Sequence, residues 1–173
     1  AYLDESVRAE VEREHVEPLF EVAHAERQPS IDDPREVGLE VTPPVVHRYF
    51  VRAKPAAIEA FMAEHEIDDA TAAEDELVFQ NSVRLNQRYY VEGDRPRAFV
   101  LSHGRDLMIL KGVGYAEEVA RYYRLEDTRA NVWIGHQRYP TRGRVWHPGG
   151  AHPFAGLHEA LVHNGDFANY HAI

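Results

Sequence analysis

Between Asn131 and Tyr170 the chain reads N-V-W-I-G-H-Q-R-Y-P-T (131–141), G-G-A-H-P-F (149–154) and H-E-A-L-V-H-N-G-D-F-A-N-Y (158–170). Two short apolar runs, Val132 to Ile134 and Ala160 to Val162, have β character. Each stops in polar residues, Gly135-His136-Gln137-Arg138 after the first and His163-Asn164-Gly165-Asp166 after the second. Strands that end in Gly, Asn and Asp deliver side chains to a sheet edge. What reaches that edge is a guanidinium (Arg138), an amide beside a glycine (Asn164-Gly165) and a carboxylate (Asp166). A planar guanidinium grips a carboxylate through two parallel hydrogen bonds, and a carboxylate meets an ammonium. Together they suit an α-amino acid. The Asn164 side-chain N–H and the Gly165 backbone N–H form a donor pair for an oxygen that turns negative during acyl transfer. Glycine there lets the backbone come close or take a positive φ.

The blocks G-H-x-R-Y-P-T, A-H-P-F and H-N-G-D with a following N-Y, in that order, resemble the glutaminase domain of class II glutamine amidotransferases, which are N-terminal-nucleophile hydrolases. The R-Y-P-T form and the upstream Lys111-Gly112-Val113-Gly114-Tyr115 look most like glutamate-synthase-type amidotransferase subunits or domains, and the matching blocks span Ala98 to Tyr170. The resemblance implies an α+β fold: part of a four-layer α/β/β/α sandwich with an α+β insertion. It implies hydrolysis of L-glutamine to glutamate and ammonia. Arg138 would hold the α-carboxylate, Thr141 and His152 would contact glutamine, and Asn164 and Gly165 would form the oxyanion hole. Asp166, often glutamate in relatives, would meet the amine. A synthase subunit or domain would receive the ammonia in a hetero-oligomer. This domain would carry no cofactor, and FMN and iron–sulfur clusters would belong to the synthase.

That family attacks with a cysteine at its mature N-terminus. The chain contains no cysteine and opens Ala1-Tyr2-Leu3-Asp4-Glu5 rather than Cys-Gly-Ile. The expectation is therefore an internal piece of a longer protein, truncated at both ends, with residues 96–173 as the glutaminase core and 1–95 as a helical and α+β appendage or insertion. Two other readings stand beside it. One is a catalytically inactive glutamine-binding or scaffold homologue. The other is a histidine-ligated metal hydrolase, raised by six of the eleven histidines lying within residues 128–173. Their spacing is irregular and brings one nearby aspartate, whereas metal sites usually pair ligands closely, so no metal ligand is assigned.

Composition narrows the classes further. At 173 residues and 44% hydrophobic content the chain can bury one sizeable core. Its net charge of −10 argues against a nucleic-acid or anionic-membrane surface. The charge is unevenly spread: residues 1–40 hold twelve acidic and four basic side chains, whereas residues 128–173 hold two acidic side chains and four arginines. The motif region is thus locally positive, which favours an anionic small molecule. No apolar run is long enough to span a bilayer, and a cytoplasmic location is expected.

Apolar spacing predicts a helix over 3–24, a short extended link over 37–41 and a strand over 45–53. Helices follow from Pro55 to about His65 and over 70–85, with 86–91 ambiguous between helix end and strand. Residues 97–111 pattern as a β-hairpin. Residues 116–125 pattern as a helix, with acids in its first turn and arginines near its end, as the macrodipole favours. Gly112-x-Gly114 reads as a turn, since it lacks the full phosphate-binding fingerprint.

Overall fold

The computed structural model describes residues 1–92, 95–137 and 148–164. It is a mixed α+β arrangement of helices around small antiparallel sheets. The chain opens with one continuous helical segment made of a 3-10 turn (Glu5–Val7), a short α-helix α1 (Arg8–Val11) and a π turn (Glu12–Val16). Asp4 caps it, its carboxylate accepting from the Ser6 N–H. The predicted helix to residue 24 is corrected here. Pro18 has no N–H to offer the preceding turn, so the helical segment stops and Phe20–Arg27 forms strand β1.

β1 pairs antiparallel with β2 (His47–Ala53), from Phe20 opposite Ala53 to Arg27 opposite His47, with an irregularity between Val22 and His24. Glu26 lies directly across from Arg48, and their side chains meet at 2.7 Å. The expected link over 37–41 is also different. Pro34–Val37 is a 3-10 turn capped by Asp33, and Gly38 leaves it with φ 93°, a value that favours glycine.

Helix α2 (Pro55–His65) starts on proline, and α3 (Ala70–Asn86) starts on Asp69, whose carboxylate accepts from the Ala72 N–H at 2.8 Å. Phe20, Ala53, Phe61, Ala73 and Leu77 form one core where the two helices cover the end of the hairpin. Glu74 of α3 accepts from the Ala53 N–H at 2.9 Å, tying that strand end to the helix. The ambiguous stretch resolves as a π turn, Gln87–Val91, continuing α3. It places Tyr89 in a second core with Tyr2, Val7, Val11, Leu85 and Ala98.

The acidic helix face near the start of the chain has a specific role. The Tyr89 hydroxyl is shared between Glu10 and Glu14, and Tyr49 donates to Glu12 at 2.7 Å. Much of this negative charge therefore accepts phenol hydroxyls as well as keeping the surface wet.

The predicted β-hairpin over 97–111 is not formed. Ala98 makes one bridge to Tyr2, and the rest of the segment is irregular, held by burial of Phe99, Ile109 and Lys111. Period-two patterning cannot make a hairpin when the two runs bury into different neighbours. Val132–Ile134 is likewise not a strand: Val132 and Trp133 are more than half exposed, and no strand pairs with them among the described residues.

Helix α4 (Ala116–Tyr122) starts with the Glu118 side chain accepting from the Tyr115 N–H at 3.0 Å. It sends Tyr122 and Tyr123 into a third core with Leu39 and Val46. Among the described residues no helix is long and apolar enough to cross a membrane.

The buried Tyr123 hydroxyl is shared between the carbonyls of Pro44 (2.9 Å) and Lys111 (3.2 Å). Tyr123→Phe leaves both carbonyls short of a donor, so denaturant unfolding should show a loss of about 1–3 kcal/mol.

Candidate functional site

The motif region docks on this body through residues 148–164. A 3-10 turn (Pro148–Gly150) leads past a cis His152–Pro153 bond into strand β3 (Phe154–Ala155). A Gly156–Glu159 turn returns it as β4 (Ala160–Leu161), with Phe154 opposite Leu161. The strand expected at Ala160–Val162 is therefore present in shortened form.

Three contacts seat this hairpin. The Lys111 ammonium donates to the carbonyls of Ala151 (2.7 Å) and Gly149 (3.4 Å) and lies 4.8 Å from the centre of the Phe154 ring. His158 meets Asp75 at 3.1 Å, and Arg105 bonds both Glu74 and Asp75. Gly104, at φ 144°, lies so close to Leu157 that a Cβ there would strike its carbonyl oxygen.

Lys111 is 7% exposed, and burial lowers its pKa from the usual lysine value to about 8. Its carbonyl partners stabilise the charge without cancelling it, since no carboxylate pairs with it among the described residues.

Beyond the clasp, the three motif blocks meet. His136, from G-H-Q-R, lies with Nε2 3.1 Å from the carbonyl of His163, from H-N-G-D. A carbonyl only accepts, so this contact places a proton on Nε2. The His136 ring also packs edge-on against His152, from A-H-P-F, at 4.9 Å between centroids, and His152 packs on Phe154 at 4.6 Å. The Nδ1 atoms of His136 and His152 are buried and find no partner among the described residues. Burial, reinforced by His136, His163 and Lys111, holds the His152 imidazole below its ordinary pKa.

Of the predicted site residues, His152 is half-buried at the centre of this cluster and Asn164 is exposed beside His163. Arg138, Thr141, Gly165 and Asp166 lie outside the described residues. Sequence reasoning missed the roles of His136 and Lys111. The signal for Lys111 was its rarity: the chain has two lysines, Lys54 and Lys111, against seventeen arginines, and Lys111 closes the apolar run Leu107–Leu110. Among the described residues no set of three His, Asp or Glu converges as a metal site.

No family model matches the chain, and no solved structure matches it. It is similar to an uncharacterized protein of Archaeoglobus fulgidus, 31% identical over 158 residues, which cover 91% of this chain and 36% of the relative. The chain thus spans about a third of that relative's length.

Gly104→Ala should cost about 1–3 kcal/mol from backbone strain alone and unseat the 154–161 hairpin, visible as faster amide exchange there. Because the folded protein releases the Lys111 proton near pH 8 and the unfolded chain near its usual 10.4, stability should rise with pH between those values. Lys111→Met should flatten that rise in urea titrations at pH 8 and pH 10. The ring protons of His152 should titrate below pH 6.5, and stability should fall as pH drops through 6.5, because the unfolded chain takes up that proton first.

Proposed function

We propose that the chain is the substrate-binding part of a class II glutamine amidotransferase of the N-terminal-nucleophile type, which hydrolyses L-glutamine to glutamate and ammonia. The observation that supports this reading is the meeting of the three motif blocks at His136, His152 and His163. His136 and His163, 27 residues apart in sequence, bring the polar ends of their blocks to one place, as a shared ligand requires.

In this reading Arg138 grips the α-carboxylate, Asp166 meets the α-ammonium, and Thr141 and His152 line the glutamine side chain. A cysteine thiol attacks the side-chain amide, and the Asn164 and Gly165 N–H groups hold the oxyanion of the tetrahedral intermediate. Ammonia leaves and a γ-glutamyl thioester forms. Water then releases glutamate and restores the thiol. The 173 residues contain no cysteine, so this reading requires a nucleophile from outside them.

The ammonia passes to a synthase subunit or domain making glutamate or a related compound. In this reading FMN and iron–sulfur clusters belong to that partner; for the clusters, the 173 residues offer no cysteine thiolate. A metal hydrolase is favoured less: a catalytic zinc takes three protein ligands, and among the described residues no three His, Asp or Glu side chains converge in that way. An inactive scaffold would leave the buried Nδ1 atoms of both rings without a purpose.

Binding and chemistry can be tested separately. L-Glutamine added to this chain should shift the NMR signals of His136, His152 and Asn164, with L-asparagine and D-glutamine far weaker, and Arg138→Met should abolish the effect. In a chain that carries the required cysteine, Asn164→Ala should lower glutaminase kcat about a hundred- to thousand-fold. Absence of glutamine-dependent shifts in the folded chain would refute the reading.

A further inference from the structure

A cavity of about 220 Å³ opens beside the Lys111 clasp, between α3 and β3. Its walls include Asn86, Tyr90, Phe99, Leu101, Lys111 and Phe154, and among the described residues no acidic side chain lines it. Two of these groups are donors with capacity to spare. The Lys111 ammonium has three N–H bonds and spends two of them on the Gly149 and Ala151 carbonyls. The Asn86 amide has its orientation fixed, because its oxygen accepts from the Val100 N–H at 2.8 Å. Its NH2 is therefore left for the cavity.

The remaining walls set the Phe99 and Phe154 rings and Leu101 beside the Tyr90 phenol and Gly149. A nine-tenths buried ammonium with no carboxylate partner among the described residues, a fixed amide donor and the faces of two phenylalanine rings together select an anion that carries an apolar body. A phosphate, more heavily hydrated and richer in acceptor oxygens, would leave most of those oxygens unmatched by two donors.

We propose that this cavity binds a small organic monocarboxylate, its carboxylate between Lys111 and Asn86 and its apolar part against Phe99 and Phe154. The site does not depend on the glutamine reading. It needs no α-amino group, and none of its walls belongs to the residues assigned to glutamine. Because its ammonium is the one that clasps the Gly149 and Ala151 carbonyls, an occupant would also stiffen the loop that carries His152.

The test is titration of the folded chain with benzoate, acetate and inorganic phosphate, followed by calorimetry and by NMR signals of Asn86 and Phe154. Benzoate should bind most tightly. Asn86→Asp keeps the acceptor for the Val100 N–H, so the fold is retained, but puts a negative charge in the cavity; benzoate binding should weaken about tenfold or more. Lys111→Met should weaken it at least as much, and should it fail to fold, Asn86→Asp decides alone. Undetectable benzoate binding, phosphate binding more tightly than benzoate, or unchanged benzoate affinity in Asn86→Asp would overturn the proposal. Loss of glutamine binding with benzoate binding intact would count against the glutamine reading alone.

Discussion

One buried charge ties the motif loops to the folded body. Lys111 has its backbone carbonyl held by Tyr123 in the third core and its ammonium held by the Gly149 and Ala151 carbonyls. Burying an unpaired ammonium is costly, and the chain bears that cost at one point only among its lysines, since Lys54 is partly exposed and bonds Glu17 at the surface. What the charge secures is direction: the A-H-P-F loop must run past Lys111 to place carbonyls on it, and this carries His152 to His136. The surface pairs at Asp75 add orientation but little energy, as exposed ion pairs do.

The body beneath is organised by tyrosines as much as by aliphatic packing. Tyr89 and Tyr123 are almost fully buried, and each hydroxyl is satisfied, the first by glutamates of the opening helical segment and the second by backbone carbonyls. A buried phenol needs such a partner. This explains why a run of glutamates sits where a merely solvated helix would also have satisfied solubility.

Much of the helical layout was legible because its start signals are local. Pro55 and Asp69 mark α2 and α3, and β-branched and aromatic residues mark β2. The errors share a cause. The helix predicted to residue 24 followed apolar spacing through Pro18, and the hairpin predicted over 97–111 followed alternation alone. Whether two apolar runs pair with each other or bury separately is decided by tertiary neighbours such as Tyr2, which takes Ala98. At the site, the order of the blocks singled out His152 and Asn164. Nothing local in the sequence announced that His136 would meet both His152 and the His163 carbonyl, because those contacts join segments far apart in the chain.

The functional reading rests on that convergence, and the geometry has a direct spectroscopic signature. Rings with centroids 4.9 Å apart bring side-chain protons within range of nuclear Overhauser transfer. In the chain with histidine rings assigned, cross-peaks between the His136 and His152 rings should be present, with the His136 Nε2 proton slowed in exchange by its bond to the His163 carbonyl. Two rings with no cross-peak between them, and a His136 Nε2 proton in fast exchange, would contradict a shared site.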